Sequence, residues 1–130
     1  MSLMSITEGA RGLFYWSFGI RALLWVKDPQ KKEEYWQRLV AVAKELNTLE
    51  PALVAPDAPD VIANVSDDRI RWRARAAGGK SYVFAYRPAQ HFDDRANGEP
   101  IEVVFTMHDG QQVRKSFRPD TADWFDLAPQ

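Results

Sequence analysis

The stretch that decides the fold is Arg69-Ile-Arg-Trp-Arg-Ala-Arg-Ala76, followed by Gly78-Gly79 and then by Ser81-Tyr-Val-Phe-Ala-Tyr-Arg87. In its first part every second residue is an arginine, and the residues between the arginines are apolar. A period of two is typical of a β-strand, because successive side chains point to opposite faces of a sheet. Two consecutive glycines supply the positive φ angles of a tight turn. The stretch therefore predicts a β-hairpin with one arginine-bearing face.

Strand character continues on both sides of this hairpin. The further predicted strands are Val61–Val65, Ile101–Met107, Val113–Phe117 and Trp124–Leu127. Asp109-Gly110 joins the second and third of them in another hairpin. Several short strands separated by turns indicate a small antiparallel β-sandwich, which we predict over residues 61–130.

A long helix is predicted before the sandwich. Asp28 is a suitable N-cap, and Pro29 stands at the first helical position, where its missing N–H costs nothing. Apolar residues then recur at helical spacing, namely Trp36, Leu39, Val40, Ala43, Leu46 and Leu49. Pro51 ends the pattern, so the predicted helix covers residues 29–49. The proline-rich segment 51–60 is predicted to be a semi-rigid linker.

The N-terminal part contains a continuous apolar run at residues 12–19, rich in aromatic residues. A run without polar alternation is typical of a strand buried on both faces, as in a parallel sheet covered by helices. The first five residues resemble a leader, and we exclude them from the predicted fold. The predicted class is thus α+β: an N-terminal apolar strand, one long helix and a small antiparallel β-sandwich.

Composition excludes several classes of function. The 130 residues carry 17 Lys and Arg against 18 Asp and Glu, and there is no cysteine. A balanced charge gives no basic field for nucleic acid and no polybasic patch for a membrane, and the lack of cysteine excludes disulfide scaffolds and thiolate zinc sites. The apolar run at 12–26 is interrupted by Arg21 and is too short for a membrane-spanning helix. The sequence leaves the cellular compartment open.

Few residue groups have a pattern suited to catalysis. The His and Asp groupings, His91 with Asp93 and Asp94 and His108 with Asp109, lie in predicted turns, where such residues are common for conformational reasons. There is no phosphate-binding loop or nucleophile elbow. We therefore predict no catalytic residue, no metal site and no cofactor in this chain.

The arginines of the deciding stretch have two interpretations. Arg69, Arg71, Arg73 and Arg75 would stand about 6.6 Å apart on one face, a spacing that suits phosphate groups. Because acidic and basic residues are balanced, we favour a solvated face whose arginines pair with neighbouring carboxylates.

The aromatic residues carry the clearest functional signal. Gly9-Ala-Arg-Gly-Leu-Phe-Tyr-Trp-Ser-Phe-Gly19, then a helix with Tyr35-Trp36 and Glu45-Leu46, then a sandwich with a Tyr82–Tyr86 strand, resembles the C-terminal end of a TIM-barrel glycoside hydrolase. The resemblance implies that residues 6–50 are the last βα unit of a barrel and that residues 61–130 are its accessory sandwich domain. It also implies that Trp16, with Tyr15, forms the aromatic floor beneath a sugar, so that carbohydrate is a partner through the parent enzyme.

The chain also departs from such enzymes. A complete barrel takes ~250 residues, and retaining glycosidases use two carboxyl groups about 5–5.5 Å apart. Glu8 is the only carboxylate near Trp16 in the sequence, so we expect the chain to be inactive alone. The alternative hypothesis is an independent carbohydrate-binding or protein-interaction module, in which exposed aromatic residues do the binding.

The same apolar residues predict self-association. Residues 12–26 and the stripe of Trp36, Leu39 and Val40 would expose more apolar area than a monomer usually tolerates. We therefore predict a homodimer or a higher oligomer that uses both surfaces.

Overall fold

The computed structural model describes residues 2–12, 27–90 and 98–128. Its helices are α1 (Ser2–Thr7), α2 (Pro29–Thr48) and α3 (Glu50–Val54), with a single 3₁₀ turn at Pro59–Val61. Its strands are β1 (Ile62–Val65), β2 (Arg71–Ala77), β3 (Lys80–Arg87), β4 (Ile101–Met107), β5 (Gln112–Phe117) and β6 (Thr121–Leu127). The predicted α+β class, with one long helix and a small sandwich, is confirmed. From residue 13 onward, the predicted strand at 12–19 lies outside the described residues.

The strands form two three-stranded antiparallel sheets. Sheet A has the order β2-β3-β6, and sheet B has the order β1-β4-β5. The predicted hairpin is present: Ala77 pairs with Lys80, and Gly78 and Gly79 between them have φ angles of 59° and 79°. Positive φ at both turn positions suits the twist of the two strands, which is why glycine occupies them.

The first hydrophobic core lies between the two sheets. Sheet A contributes Val83 and Ala85 from β3, and sheet B contributes Val103 and Phe105 from β4, all of them buried. The Phe105 ring meets the Phe125 ring edge to face, with 5.3 Å between the centroids. The two sheets therefore pack as a sandwich whose centre is aromatic.

A second core lies on the other face of sheet A. Tyr82 and Phe84 of β3 pack there against Ile6 of α1, and Leu49 and Ala52 complete the cluster. Because its alternate side chains serve two cores, β3 is buried on both faces. Our exclusion of the first five residues from the fold was wrong, since α1 begins at Ser2 and Leu3 packs against this cluster.

We expect the Ile6→Ala variant to lose about 2–5 kcal/mol of unfolding free energy, because it opens a cavity beside Phe84. Ile6 is fully buried, so the cost should scale with the volume removed. The Ile6→Val variant should lose only about 0.5–1.5 kcal/mol. Urea unfolding followed by tryptophan fluorescence measures both losses. Equal stability of all three proteins would mean that α1 is not part of the core.

The segment 51–60 is not the linker that the sequence predicted. It contains α3 and then runs beside β2, where the Ala58 N–H donates to the Ala74 carbonyl at 2.9 Å and the Ala76 N–H donates to the Pro56 carbonyl at 3.2 Å. The physical reason is that one side of β2 is not paired with β3, so its backbone groups are free to bond this segment. Proline enrichment limited the local conformation, but it did not prevent docking.

Helix α2 begins as predicted. The Asp28 carboxylate accepts a hydrogen bond from the Gln30 N–H at 2.9 Å, and the helix ends at Thr48, one residue before the predicted end. None of its twenty residues is buried. The helix meets the sandwich near its C-terminal end, where the Trp124 Nε1–H of β6 donates to Glu45 at 2.9 Å. Over the described ranges, no helix is both long and apolar enough to span a bilayer.

Candidate functional site

Several residues singled out from the sequence fall outside the described ranges. They are Tyr15, Trp16, His91, Asp93 and Asp94. His108 and Asp109 lie in the turn between β4 and β5, where the Asp109 carboxylate accepts a hydrogen bond from the Gln111 N–H at 2.8 Å. This hydrogen bond lies within the turn, so it gives Asp109 a conformational role. Within residues 2–12, 27–90 and 98–128, no group of three His, Cys, Asp or Glu side chains is placed to hold a metal ion.

The arginines of β2 form the most elaborate polar arrangement on sheet A. Their exposure falls along the strand: the Arg71 side chain is 66% exposed, the Arg73 side chain 31%, and the Arg75 side chain is fully buried. The gradient arises because α3 and Ala10 cover Arg75, while Gly9 lies beside Arg73. The pairing with carboxylates that we favoured is present, but the expected solvated face is wrong at Arg75.

Arg75 joins three parts of the chain. Its Nη1 donates to the carbonyls of Ala52 and Leu53 at 3.3 and 3.0 Å, and its Nη2 donates to the Ala10 carbonyl at 3.0 Å. Its Nε lies 3.5 Å from the Asp57 carboxylate. Burial lowers the pKa of the Arg75 guanidinium, and the negative charge of Asp57 opposes that effect. One side chain thereby ties the N-terminal segment and α3 to sheet A.

Two further arginines complete this arrangement. Arg11 donates to the carbonyls of Val54 and Ala55 at 3.2 and 3.1 Å, so guanidinium groups serve four consecutive carbonyls at the end of α3. Arg73 forms an ion pair with Asp57 and also donates from Nε to the Thr7 carbonyl at 2.8 Å. The final carbonyls of a helix have no partner within the helix and carry partial negative charge, so cations there are stabilising.

Gly9 permits this close approach. Its φ angle is +109°, and a Cβ built on it would lie 3.2 Å from the Arg73 Nη2. A larger residue would be strained in its backbone and would push the guanidinium away.

The arrangement acts as a structural tie. Four of the hydrogen bonds donated by Arg73 and Arg75 go to main-chain carbonyls, and their shared carboxylate is Asp57. Guanidinium groups held in this way are not aimed at a phosphate backbone. Sequence reasoning missed the role of Arg75, because its partners, from Asp57 to Ala10, are 18 to 65 residues away. The one local signal was the glycine at position 9.

The Glu8 carboxylate, for which the sequence predicted no second carboxylate nearby, contacts Tyr86 and Arg71 in the fold. It accepts a hydrogen bond from the Tyr86 hydroxyl at 2.6 Å, and the Arg71 Nε lies 4.0 Å away. Hydrogen bonding to Glu8 raises the pKa of Tyr86. Glu8 therefore adds another link between the N-terminal segment and β3.

A cleft at one end of the sandwich contains two more arginines. Arg69 forms a two-point contact with Asp67, at 2.9 Å through Nε and 2.6 Å through Nη2. Arg87 donates to the carbonyls of Glu99 and Phe117 at 2.7 and 3.3 Å. Both guanidinium groups thus hold loops at this end of the fold.

The Asp67 contact makes a prediction about pH. Hydrogen bonding from Arg69 lowers the pKa of Asp67 from 3.8 to about 2. A lowered pKa in the folded state means that the contact stabilises the protein fully above about pH 4 and that the gain is lost as the pH falls to about 2. Because the pair is near the surface, we expect a gain of no more than about 1 kcal/mol.

A titration of the Asp67 carboxyl carbon by NMR checks this prediction. We expect a midpoint at about pH 2 in the wild type and a rise toward 3.8 in the Arg69→Ala variant. A wild-type midpoint near 3.8 would contradict the contact.

Comparison with protein-family models, with curated proteins and with solved structures finds no match to the chain.

Proposed function

We propose that this chain is the C-terminal portion of a glycoside hydrolase, namely its last barrel unit and accessory β-sandwich, and that it is not catalytic alone. The proposal starts from the resemblance carried by residues 9–19, by the helix and by the Tyr82–Tyr86 strand. We expect none of the chain's own carboxylates to act as the catalytic pair, so the chemistry would come from the parent enzyme.

The observation that carries the proposal is the tie through Arg75. Independent domains are joined by exposed linkers that few contacts cross, so contacts between the sandwich and the preceding unit favour an accessory domain over an independent module. Here Arg75 reaches the Ala10 carbonyl just before the aromatic run, and Ile6 packs against Phe84. The sandwich is thus fixed to the segment that the resemblance assigns to the barrel.

A second candidate function is the protein-interaction module. It is favoured by two exposed aromatic side chains on α2, Tyr35 at 38% and Trp36 at 48%. The sugar-binding form of this alternative has less support on the described sandwich, because Tyr82 is buried and Trp72 packs against the inter-sheet core.

The reading frame in the genome tests the leading proposal. We expect ~250 in-frame codons before Met4 that encode a barrel with two strand-terminal Glu residues. The product of the long frame should hydrolyse chromogenic glycosides, and the 130-residue chain should not. A stop codon shortly before a ribosome-binding site at Met1 or Met4 would overturn the proposal.

Sugar contact is tested on the chain itself. We propose Trp16 and Tyr15 as the aromatic platform for a sugar ring. Titration with oligosaccharides should change the tryptophan fluorescence of the wild type and of the Trp36→Phe control, but not that of the Trp16→Ala variant. If millimolar oligosaccharide changes none of them, the chain itself has no sugar platform.

A further inference from the structure

Helix α2 has an apolar face without a partner in the described fold. The face consists of Trp36, Leu39, Val40 and Ala43, which we call the Trp36 stripe. Glu45, which bonds Trp124 of β6, is nine residues from Trp36, about two and a half turns along the helix. The Trp36 and Glu45 side chains therefore leave opposite sides of α2. Val40 and Ala43 lie on the Trp36 side, and Leu39 lies at its edge, in line with Leu46, which packs against the second core.

A helix in this position needs a partner for its own stability. Helices in proteins gain most of their stability from packing an apolar face, and the contact of α2 with the second core is made near its C-terminal end, by Leu46. Yet no residue of α2 is buried, and Trp36 is 48% exposed. Packing of the stripe against another surface would supply the missing stabilisation.

The charges beside the stripe identify the partner. Glu33 and Lys44 lie along the same long edge of the Trp36 stripe, on the side of Val40, and we call this edge the margin. They are eleven residues and about three turns apart. Across the part of the chain that the structure describes, neither forms an ion pair. Glu33 accepts one hydrogen bond, from the Gln37 side chain at 2.6 Å. The margin thus carries one negative and one positive charge at opposite ends.

We propose that the Trp36 stripe binds the same stripe of a second copy of this chain, with the two α2 helices antiparallel. When the two-fold axis passes between residues 38 and 39, Glu33 lies level with the partner's Lys44, and Lys44 lies level with the partner's Glu33. Both pairs fall on the same side of the contact, since antiparallel helices related by a two-fold axis place identical margins against each other. In a parallel pair the two identical margins would lie on opposite sides of the contact, so neither the Glu33 nor the Lys44 side chain would meet an opposite charge from the partner's copy of this margin.

The same register accommodates the largest side chain. Trp36 lies level with the part of the partner helix between Val40 and Ala43, and the small Ala43 leaves room for the indole. A helix of twenty residues is about 30 Å long, so the contact extends over several turns on each side of the axis. In the glycoside hydrolase proposed above, the stripe would instead pack against the barrel sheet. This inference therefore concerns the 130-residue chain by itself, and the oligomeric state of that chain tests it separately from the proposed function.

The charge pairs give the sharpest test. Sedimentation velocity at tens of micromolar protein should show a dimer for the wild type. Glu33→Lys and Lys44→Glu should each raise the dimer dissociation constant roughly tenfold, because each variant creates two like-charge contacts. The double variant should restore the wild-type constant. Glu34→Lys makes the same charge change on the opposite side of α2 and should have no effect.

Cross-linking tests the direction of the helices, since the chain has no cysteine of its own. Leu39→Cys places two thiols near the two-fold axis, and they should form a disulfide with oxidised glutathione. Asn47→Cys, on the same face as Ala43, places them about 25 Å apart along the helices in the antiparallel pair but level with each other in a parallel one. Circular dichroism checks that each variant keeps its helix.

Four results would overturn the proposal. They are a monomeric wild type, a double variant that is weaker than either single variant, a Glu34→Lys variant as weak as Glu33→Lys, and cross-linking through position 47 as fast as through position 39.

Discussion

Replacement of Arg75 by methionine is expected to lower the free energy of unfolding by about 3–5 kcal/mol, a large fraction of the stability of a domain of this size. Methionine keeps much of the buried volume, so the loss reports on hydrogen bonds rather than on a cavity. The carbonyls of Ala10, Ala52 and Leu53 would lose a buried donor, and Asp57 would lose one of its two cations. Urea unfolding measured by tryptophan fluorescence gives the difference.

The matched control is Arg71→Met on the same face of β2. Its side chain is mostly exposed and its nearest carboxylate oxygen is 4.0 Å away, so we expect a change within about 0.5 kcal/mol. If the two variants are equally stable, the buried tie does not hold the N-terminal segment in place.

Replacement of Phe105 by alanine should lower the free energy of unfolding by about 3–5 kcal/mol, because the ring fills the centre of the inter-sheet core. Phe105 is fully buried, and its ring contacts those of Phe117 and Phe125 at centroid distances of 6.3 and 5.3 Å. Removal of the ring leaves a void between sheets A and B, because the closely packed side chains around it cannot move far enough to fill the space.

The control for Phe105 is Val104→Ala at the preceding residue of β4, whose side chain points to the opposite face and is only half-buried. The Val104→Ala variant should lose about 1 kcal/mol of unfolding free energy, well below the loss for Phe105→Ala. Guanidinium unfolding of both variants measures the difference. Equal losses would mean that the core does not lie between the sheets.

Local sequence signals were sufficient to predict the hairpins and the long helix. Gly78-Gly79 specifies its turn through backbone φ alone, and Asp28-Pro29 specifies a helix start through a cap that spans two residues. Both features depend on neighbours in the chain, so the sequence could predict them without knowledge of the tertiary fold.

Features that depend on distant residues could not be predicted. The alternation of β2 separates two faces, but it does not tell whether the arginine face meets water or a helix, since long arginine stems suit either surface. Whether Arg75 is buried depends on α3 and on Ala10, which no period in the sequence reveals. Helix α1 was missed for a similar reason: six residues have little helical preference of their own, and only packing on Phe84 fixes them.

The candidate site was predicted in part. The aromatic pair at Tyr15 and Trp16 stays a prediction, because it lies outside the described residues. The arginine row was identified from its spacing, and its pairing with carboxylates followed from the charge balance. Its role as a tie became clear only from distances between residues far apart in the chain.

The segment beside β2 has one more consequence, for solubility. A strand at the margin of a sheet offers its backbone as a template on which other chains can assemble into aggregates. Here residues 56–58 occupy that template on β2 through the hydrogen bonds of Ala58 and Pro56. Pro56 and Pro59 have no N–H to offer, so the covering segment is itself a poor template for further strands. The prolines thus protect this side of the sheet from the addition of strands from other chains.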